Sequence, residues 1–122
     1  MTAGIAMAEI DQALVVTMQG DLKEETCRDL MTDVSERLIQ SRLKATILDF
    51  SAVPLLDLQE FALIRKILKM SEVLGAEAWL VGLNPGIVSF LVQMNVDTSG
   101  VNFSLQLGDA FKALTVNHKD LT

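Results

Sequence analysis

Residues 45–68, ATILDFSAVPLLDLQEFALIRKIL, constrain the fold more than any other part of the chain. They begin with a nearly continuous apolar run, 45–50, which is typical of a central strand covered on both faces. A short loop follows, and an amphipathic helix opens at Asp57. The Asp57 carboxylate is suited to accept from amides in the first turn, and Glu60 has the spacing that closes a capping box. This segment predicts a buried strand joined to a helix with a well-defined start.

Strand and helix signals continue on both sides of this segment. Short apolar runs, turn residues and three- to four-residue apolar spacings mark the further elements. They are a hairpin of 5–7 with 13–18, a helix at 21–42, a strand at 78–81, a helix from 85 to about 94, a short edge strand at 103–107 and a helix around 110–116. We expect an α/β fold: a mixed sheet of four to five strands, with an N-terminal hairpin and parallel βαβ units, covered by about four helices. Only the hairpin is expected to run against the parallel strands.

Both long helices have an apolar stripe that predicts which side chains are buried. In the first helix the stripe consists of Cys27, Leu30, Met31, Val34, Leu38 and Ile39. In the second helix it consists of Leu58, Phe61, Ala62, Ile64, Leu68 and Val73, and Gly75 is a natural residue to end that helix.

Composition bounds the class of protein. At 122 residues the chain is expected to form a single domain, 1–122, in which 117–122 is a frayed polar tail. Its net charge of −6 argues against general nucleic-acid binding, which needs a basic surface. A lone cysteine, no secretory signal and no apolar run long enough to span a bilayer predict a cytoplasmic protein without membrane insertion.

No group of residues in the sequence predicts an enzyme, a metal site or a cofactor site. The one histidine, His118, lies in the tail, and Cys27 lies on an apolar helix stripe where a core role is the default. Asp49 ends a buried strand, where a carboxylate either binds a ligand or caps its own loop; we favour the capping of amides at 51–53. Arg65, Lys66 and Lys69 fit the solvated face of one helix better than a phosphate-binding patch.

Several short motifs, taken in order, resemble the STAS domain, the family of sulfate transporters and anti-sigma factor antagonists. They are GDL at 20–22, LDFSAV at 48–53 followed by LD at 56–57, and VGLNP at 81–85. Within that family, the segment from 75 to 97 is most similar to scaffold proteins of bacterial stressosomes, of the RsbS type. The resemblance implies a non-catalytic regulatory protein that binds a switch or anti-sigma serine kinase, other STAS proteins, or both, and that forms homo- or hetero-oligomers.

The resemblance also implies which residues form the partner surface. In regulated members of the family a phosphorylated Ser or Thr follows the aspartate of this loop. Here the aspartate is Asp57 and the acceptor position is Leu58, which cannot be phosphorylated. Ser89 falls near a second acceptor of some relatives, although a lone helical serine is more often simply exposed. The implied partner-binding residues are Pro54, Leu55, Leu56, Asp57, Leu58, Gln59 and Glu60.

Two alternatives stay open at this point. Leu58 either presents an apolar side chain to a partner or folds onto its own helix beside Phe61 and Ala62. The chain as a whole is either an interaction protein or a regulatory domain that binds a small ligand or nucleotide, including an accessory subunit of a lipid or anion transporter. The second reading depends on Asp49 and on the turn at 82–85 before a helix, a generic anion site.

Overall fold

Strands and helices follow one another along the chain as the apolar patterns predict. The structure is a computed structural model that describes residues 5–20 and 23–120, with side chains described as far as Leu114. The elements are β1 (Ile5–Ile10), β2 (Ala13–Gln19), α1 (Glu24–Ser41), β3 (Ala45–Ala52), α2 (Leu58–Val73), β4 (Glu77–Val81), α3 (Pro85–Gln93), β5 (Asn102–Ser104) and α4 (Leu107–Asp120). The predicted α/β class, with a mixed sheet and covering helices, is confirmed.

The five strands form one sheet in their chain order, β1-β2-β3-β4-β5. β1 and β2 are antiparallel and join through Asp11 and Gln12, whose φ angles of 49° and 68° are those of a hairpin turn that matches the strand twist. The pairs β2–β3, β3–β4 and β4–β5 are all parallel. Only β1 therefore runs against the other strands; the expectation that the whole hairpin does so was wrong, because the second strand of a hairpin reverses the first.

The strand order decides which face each helix covers. The three crossovers step in the same direction between neighbouring parallel strands, and such crossovers are right-handed. They accordingly place α1, α2 and α3 on one face of the sheet, where their buried residues form the main core with β2, β3 and β4. On the opposite face, Ala110 and Leu114 of α4 pack on a second core that includes Ile47 and Trp79. Both faces of the central strands are covered, as the apolar run at 45–50 predicts.

The apolar stripes are confirmed in part: most of their members are buried, but Ala62 in the middle of the α2 stripe is exposed, as are residues at the stripe ends. Cys27, Leu30, Val34 and Leu38 of α1 are buried, but Ile39 is 64% exposed. Ile39 follows Leu38 directly, so it points about 100° away from it around the helix axis. Val73, the last residue of α2, is 77% exposed for the same reason, since it lies off the stripe that ends at Ser71.

The C-terminal elements differ from the prediction in length. β5 spans only Asn102–Ser104, and α4 begins at Leu107, three residues before its predicted start, and continues to Asp120. Residues 121–122 of the predicted tail lie outside the described part of the chain. In the described residues, no helix has the length and apolar character that crossing a bilayer requires.

The contrast between Leu38 and Ile39 provides a test of the packing. Leu38→Ala should lower the free energy of unfolding by about 2–5 kcal/mol, because it leaves a cavity between α1 and the sheet. Ile39→Ala, the matched control on the same helix, should change it by less than about 0.5 kcal/mol. Urea unfolding followed by circular dichroism measures both; equal losses would contradict the described orientation of α1.

Candidate functional site

The loop that joins β3 to α2 lies at the carboxyl edge of the sheet and exposes apolar side chains between buried anchors. Val53 is 2% exposed and Leu56 is 5% exposed, and both belong to the main core. Leu55, between them, is 79% exposed. The Leu56 side chain therefore belongs to the core and not to the exposed surface of this loop, whereas Pro54 and Leu55 are both exposed.

The start of α2 is held by the capping box that the sequence predicts. The Glu60 amide donates to Asp57 Oδ1 over 2.7 Å, and the Asp57 amide donates to Glu60 Oε1 over 3.0 Å. These two bonds satisfy amides that would otherwise be unpaired at a helix end, and such a cap stabilises by about 1 kcal/mol. Leu58, the first residue inside the helix, is consequently held in a defined position.

Asp49 caps its own loop. Its Oδ1 accepts from the Ser51 amide over 2.9 Å and from the Ser51 hydroxyl over 2.6 Å. These bonds confirm the preferred interpretation that Asp49 fixes the chain as it leaves β3.

The turn after β4 forms hydrogen bonds with the β3–α2 loop. Asn84 Nδ2 donates to the Pro54 carbonyl over 3.0 Å and to the Val53 carbonyl over 3.4 Å. Its Oδ1 accepts from the Ile87 amide over 2.9 Å and so caps α3. The sequence shows Asn84 as the residue before a helix-starting proline, but its contact with the loop 30 residues earlier depends on the tertiary structure.

Gly82 allows these two segments to approach closely. Its φ angle is +77°, and a Cβ at this position would collide with the Ser51 hydroxyl and lie 3.0 Å from Asp49 Oδ1. The Gly82 amide donates to the Ser104 carbonyl over 3.2 Å, which ties the turn to the end of β5. Only glycine fits a position that combines this dihedral angle with so little space.

Leu58 lines a groove between α2 and residues 96–101. The groove has a volume of about 520 Å³ and is lined by Leu58, Phe61 and Ala62 together with basic residues of α2. Leu58 is 41% exposed. It therefore combines the two alternatives left open by the sequence: it lies beside Phe61 and Ala62, and it also keeps accessible apolar surface.

Asp97 connects residues 96–101, which form the outer wall of the groove, to α2. Asp97 Oδ1 accepts from the Ser99 hydroxyl over 2.7 Å and from the Ser99 amide over 3.0 Å, and its Oδ2 accepts from Arg65 over 3.1 Å. These hydrogen bonds, first those from Ser99 and then the one from Arg65, lower the pKa of Asp97 to about 2. Pattern reading missed this wall, because Arg65 and Asp97 are 32 positions apart in the sequence.

The remaining candidate residues lie outside this site. Ser89 is exposed on α3, and Cys27 is 1% exposed, with a thiol pKa raised by burial and by the Glu60 carboxylate. The side chain of His118 lies outside the described part of the chain. Among the residues that the structure describes, no three His, Cys, Asp or Glu side chains are placed to hold a metal ion.

Comparison with known proteins gives consistent matches in sequence and in fold. The family model for the STAS domain matches residues 4–110. RsbT co-antagonist protein RsbRD of Bacillus subtilis (strain 168) is 26% identical over 96 residues, which are 79% of this chain and 34% of that protein. This chain thus spans about a third of the length of that curated relative.

Two solved structures show the same fold. A serine-to-glutamate variant of RsbS from Moorella thermoacetica superimposes with a TM-score of 0.80 at 20% identity, covering 94% of this chain and 97% of that one. A chain of the solved stressosome, described as a signal integration and transduction hub, superimposes with a TM-score of 0.65 at 24% identity. The match covers 90% of this chain and 98% of that one.

Replacement of Gly82 tests the close approach of the two turns. Gly82→Ala should lower the free energy of unfolding by about 2 kcal/mol or more, because a left-handed φ and the contact with Ser51 both oppose a Cβ. Gly108→Ala is the matched control, since its Cβ meets no atom within 4 Å. Thermal unfolding followed by calorimetry compares them; equal melting temperatures would contradict the described packing.

The hydrogen bonds to Asp97 predict that its carboxyl group titrates at an unusually low pH. The carboxyl group should titrate at about pH 2 in the folded protein, as measured by ¹³C NMR of the side chain. Since the folded pKa lies below the unfolded one, its stabilising contribution is complete above about pH 4 and is lost as the pH falls toward 2. Ser99→Ala should raise this pKa, whereas the control Ser35→Ala on α1 should leave it unchanged; no rise in Ser99→Ala would contradict the assignment.

Proposed function

The chain belongs to the STAS domain family, and from that premise we propose that it is a non-catalytic interaction protein whose β3–α2 loop binds a regulatory partner. It is related to stressosome and anti-sigma antagonist proteins. The partner we propose is a serine kinase of the switch or anti-sigma type, another STAS protein, or both, in a homo- or hetero-oligomer. The proposed partner surface is Pro54, Leu55, Asp57, Leu58, Gln59 and Glu60, with Leu56 contributing as an anchor from below.

The observation that carries the proposal is the exposure of two leucines on a backbone that is held in place. Leu55 and Leu58 are 79% and 41% exposed, while Asp49, Asn84 and the capping box fix the chain on both sides. Burying one leucine side chain at an interface contributes about 1.5–3 kcal/mol. Because the loop is ordered before binding, little of this gain is lost to ordering the chain.

Leu58 gives the proposed interaction a constitutive character at this position. A phosphate there would add about two negative charges and three strong acceptor oxygens next to the partner surface. Leucine has no hydroxyl to receive it, so the contact has no phosphate switch at the first residue of α2. Ser89, exposed on the neighbouring helix, lies outside the proposed surface and stays a secondary candidate for modification.

Contacts of the chemically reactive side chains favour an interaction protein over an enzyme or a small-ligand domain. The Cys27 thiol is buried and its pKa is raised, which opposes thiolate formation. Asp49 already accepts two hydrogen bonds from Ser51. At the N-terminus of α3, the Ile87 amide, which an anion would use, already donates a hydrogen bond to Asn84 Oδ1. Asp49 and the turn before α3, on which the ligand-binding alternative depended, therefore already form hydrogen bonds within the protein.

Binding to the cognate serine kinase tests the proposed surface. Leu55→Asp and Leu58→Asp should each weaken capture of the kinase at least about tenfold, because each places a charge in an apolar contact. Ile39→Asp is the matched control: it introduces the same charge at a residue of α1 that is 64% exposed. Biolayer interferometry gives the affinities, and circular dichroism confirms folding. Unchanged affinity in both loop variants would reject the surface.

The same mixture with ATP tests the role assigned to Leu58. The natural protein should acquire no stoichiometric phosphate in residues 51–60, whereas Leu58→Ser should accept one phosphate at the new hydroxyl. Intact-mass and peptide mass spectrometry locate the modification. Stoichiometric phosphate on the loop of the natural protein would overturn the constitutive reading, and an unmodified Leu58→Ser would reject the equivalence of Leu58 with the acceptor position.

A further inference from the structure

We infer that the groove between α2 and residues 96–101 binds an acidic, amphipathic segment of a partner protein. Its apolar side chains would lie against Leu58 and Phe61, and its carboxylates would face Lys66 and Lys69. The inference rests on the proposed function in that the ligand is taken to be a partner protein. It adds a second contact surface and the chemistry of the segment that this surface recognises.

The apolar part of the groove is already formed and partly open. Phe61 and Leu68 are 2% and 1% exposed and make the base of the groove, and Val96 and Val101 on the opposite wall are half-buried. Leu58, which also lines the groove, is 41% exposed. A volume of about 520 Å³ accommodates a few side chains of a bound segment. The Arg65–Asp97 ion pair joins the two walls across the groove.

The charges along the rim select an acidic ligand. Arg65, Lys66 and Lys69 all line the groove, although the chain carries a net charge of −6. Arg65 is engaged by Asp97 over 3.1 Å. Within the described part of the chain, Lys66 and Lys69 form no ion pair within 4 Å and are exposed. At physiological salt, charges more than about 8 Å away are largely screened, so the groups that line the groove, these two ammonium groups and the Glu72 carboxylate among them, set the potential that a bound segment experiences.

Glu72 determines where the carboxylates of a ligand can lie. It also lines the groove, with its Oε1 3.7 Å from the position of a Cβ on Gly100. Acidic side chains would be repelled at that end and attracted at Lys66 and Lys69. The ligand is therefore expected to place its apolar side chains toward Leu58 and its acidic ones at the middle of α2.

A protein segment fits this surface better than a bilayer does. The binding surface is a groove, and Phe61, which lines it, is only 2% exposed, so a flat membrane would make little contact with that side chain. An anionic bilayer would also repel a molecule whose net charge is −6. A single chain segment enters the groove and avoids both obstacles.

Selection from a random 15-residue phage-displayed peptide library, with the full chain as bait, tests the inference. Enriched peptides should combine Leu or Phe with several Asp or Glu residues. Synthetic copies should bind Lys66→Glu/Lys69→Glu at least about tenfold more weakly than the natural protein. Lys44→Glu/Lys112→Glu is the control, because it changes the net charge equally at exposed residues away from the groove. Its affinity should stay within twofold, and NMR shifts on peptide addition should map to 58–69 and 96–101.

Several outcomes would overturn the inference. They are the absence of enriched peptides, enriched peptides without acidic residues, and equal losses of affinity in the two charge-reversed variants. Analytical ultracentrifugation tests for self-association. If the natural protein self-associates and only the Lys66→Glu/Lys69→Glu variant does not, the groove binds a second copy of this chain. Binding to vesicles of four parts phosphatidylcholine to one part phosphatidylglycerol, lost in the same variant, would assign it to a membrane.

Leu55 separates this inference from the proposed function, because it belongs to the loop and does not line the groove. If Leu55→Asp abolishes kinase capture while the peptides are insensitive to Lys66→Glu/Lys69→Glu, only the groove inference fails. If Leu55→Asp and Leu58→Asp both leave kinase capture intact while the acidic peptides behave as expected, the proposed loop surface fails and the groove stands.

Discussion

Parallel pairing of β3 with β4 is the constraint on which the rest of the site depends. Since parallel neighbours end at the same edge of the sheet, the loop after β3 and the turn after β4 must lie side by side. Gly82 makes that proximity sterically feasible, and Asn84 converts it into hydrogen bonds to the backbone of Val53 and Pro54. A loop that would otherwise be mobile is thereby held as a defined surface.

The molecule uses its charges and apolar groups differently on its two exposed features. On the β3–α2 loop, local hydrogen bonds are satisfied internally, and apolar surface at Leu55 and Leu58 remains exposed. Along α2, Arg65 forms an ion pair with Asp97, whereas the neighbouring lysines remain exposed. Leu58 belongs to both features, because it is the first residue of α2 after the loop and also lines the groove.

Local signals predicted the elements well wherever the responsible contacts are close in sequence. The capping box of Asp57 and Glu60 spans three residues, and Asp49 bonds a residue two positions away; both were readable from spacing alone. The stripe of α1 was correct at its centre but wrong at Ile39. Ile39 lies about 100° around the helix axis from Leu38, so the helix period itself places it off the buried face.

The sequence by itself determined the α/β class, the buried central strand, the capped start of α2 and the resemblance to the STAS domain, because each follows from local spacing or from the order of short motifs. Only the tertiary structure decided that Asn84 fastens the β3–α2 loop, that Leu56 points inward, and that α2 and residues 96–101 enclose a groove. The Asn84 contact and the groove join residues 30 and 32 positions apart. Their proximity is set by strand order and crossover handedness, and the opening segment, 45–68, specifies one strand and one helix of that arrangement but not their neighbours.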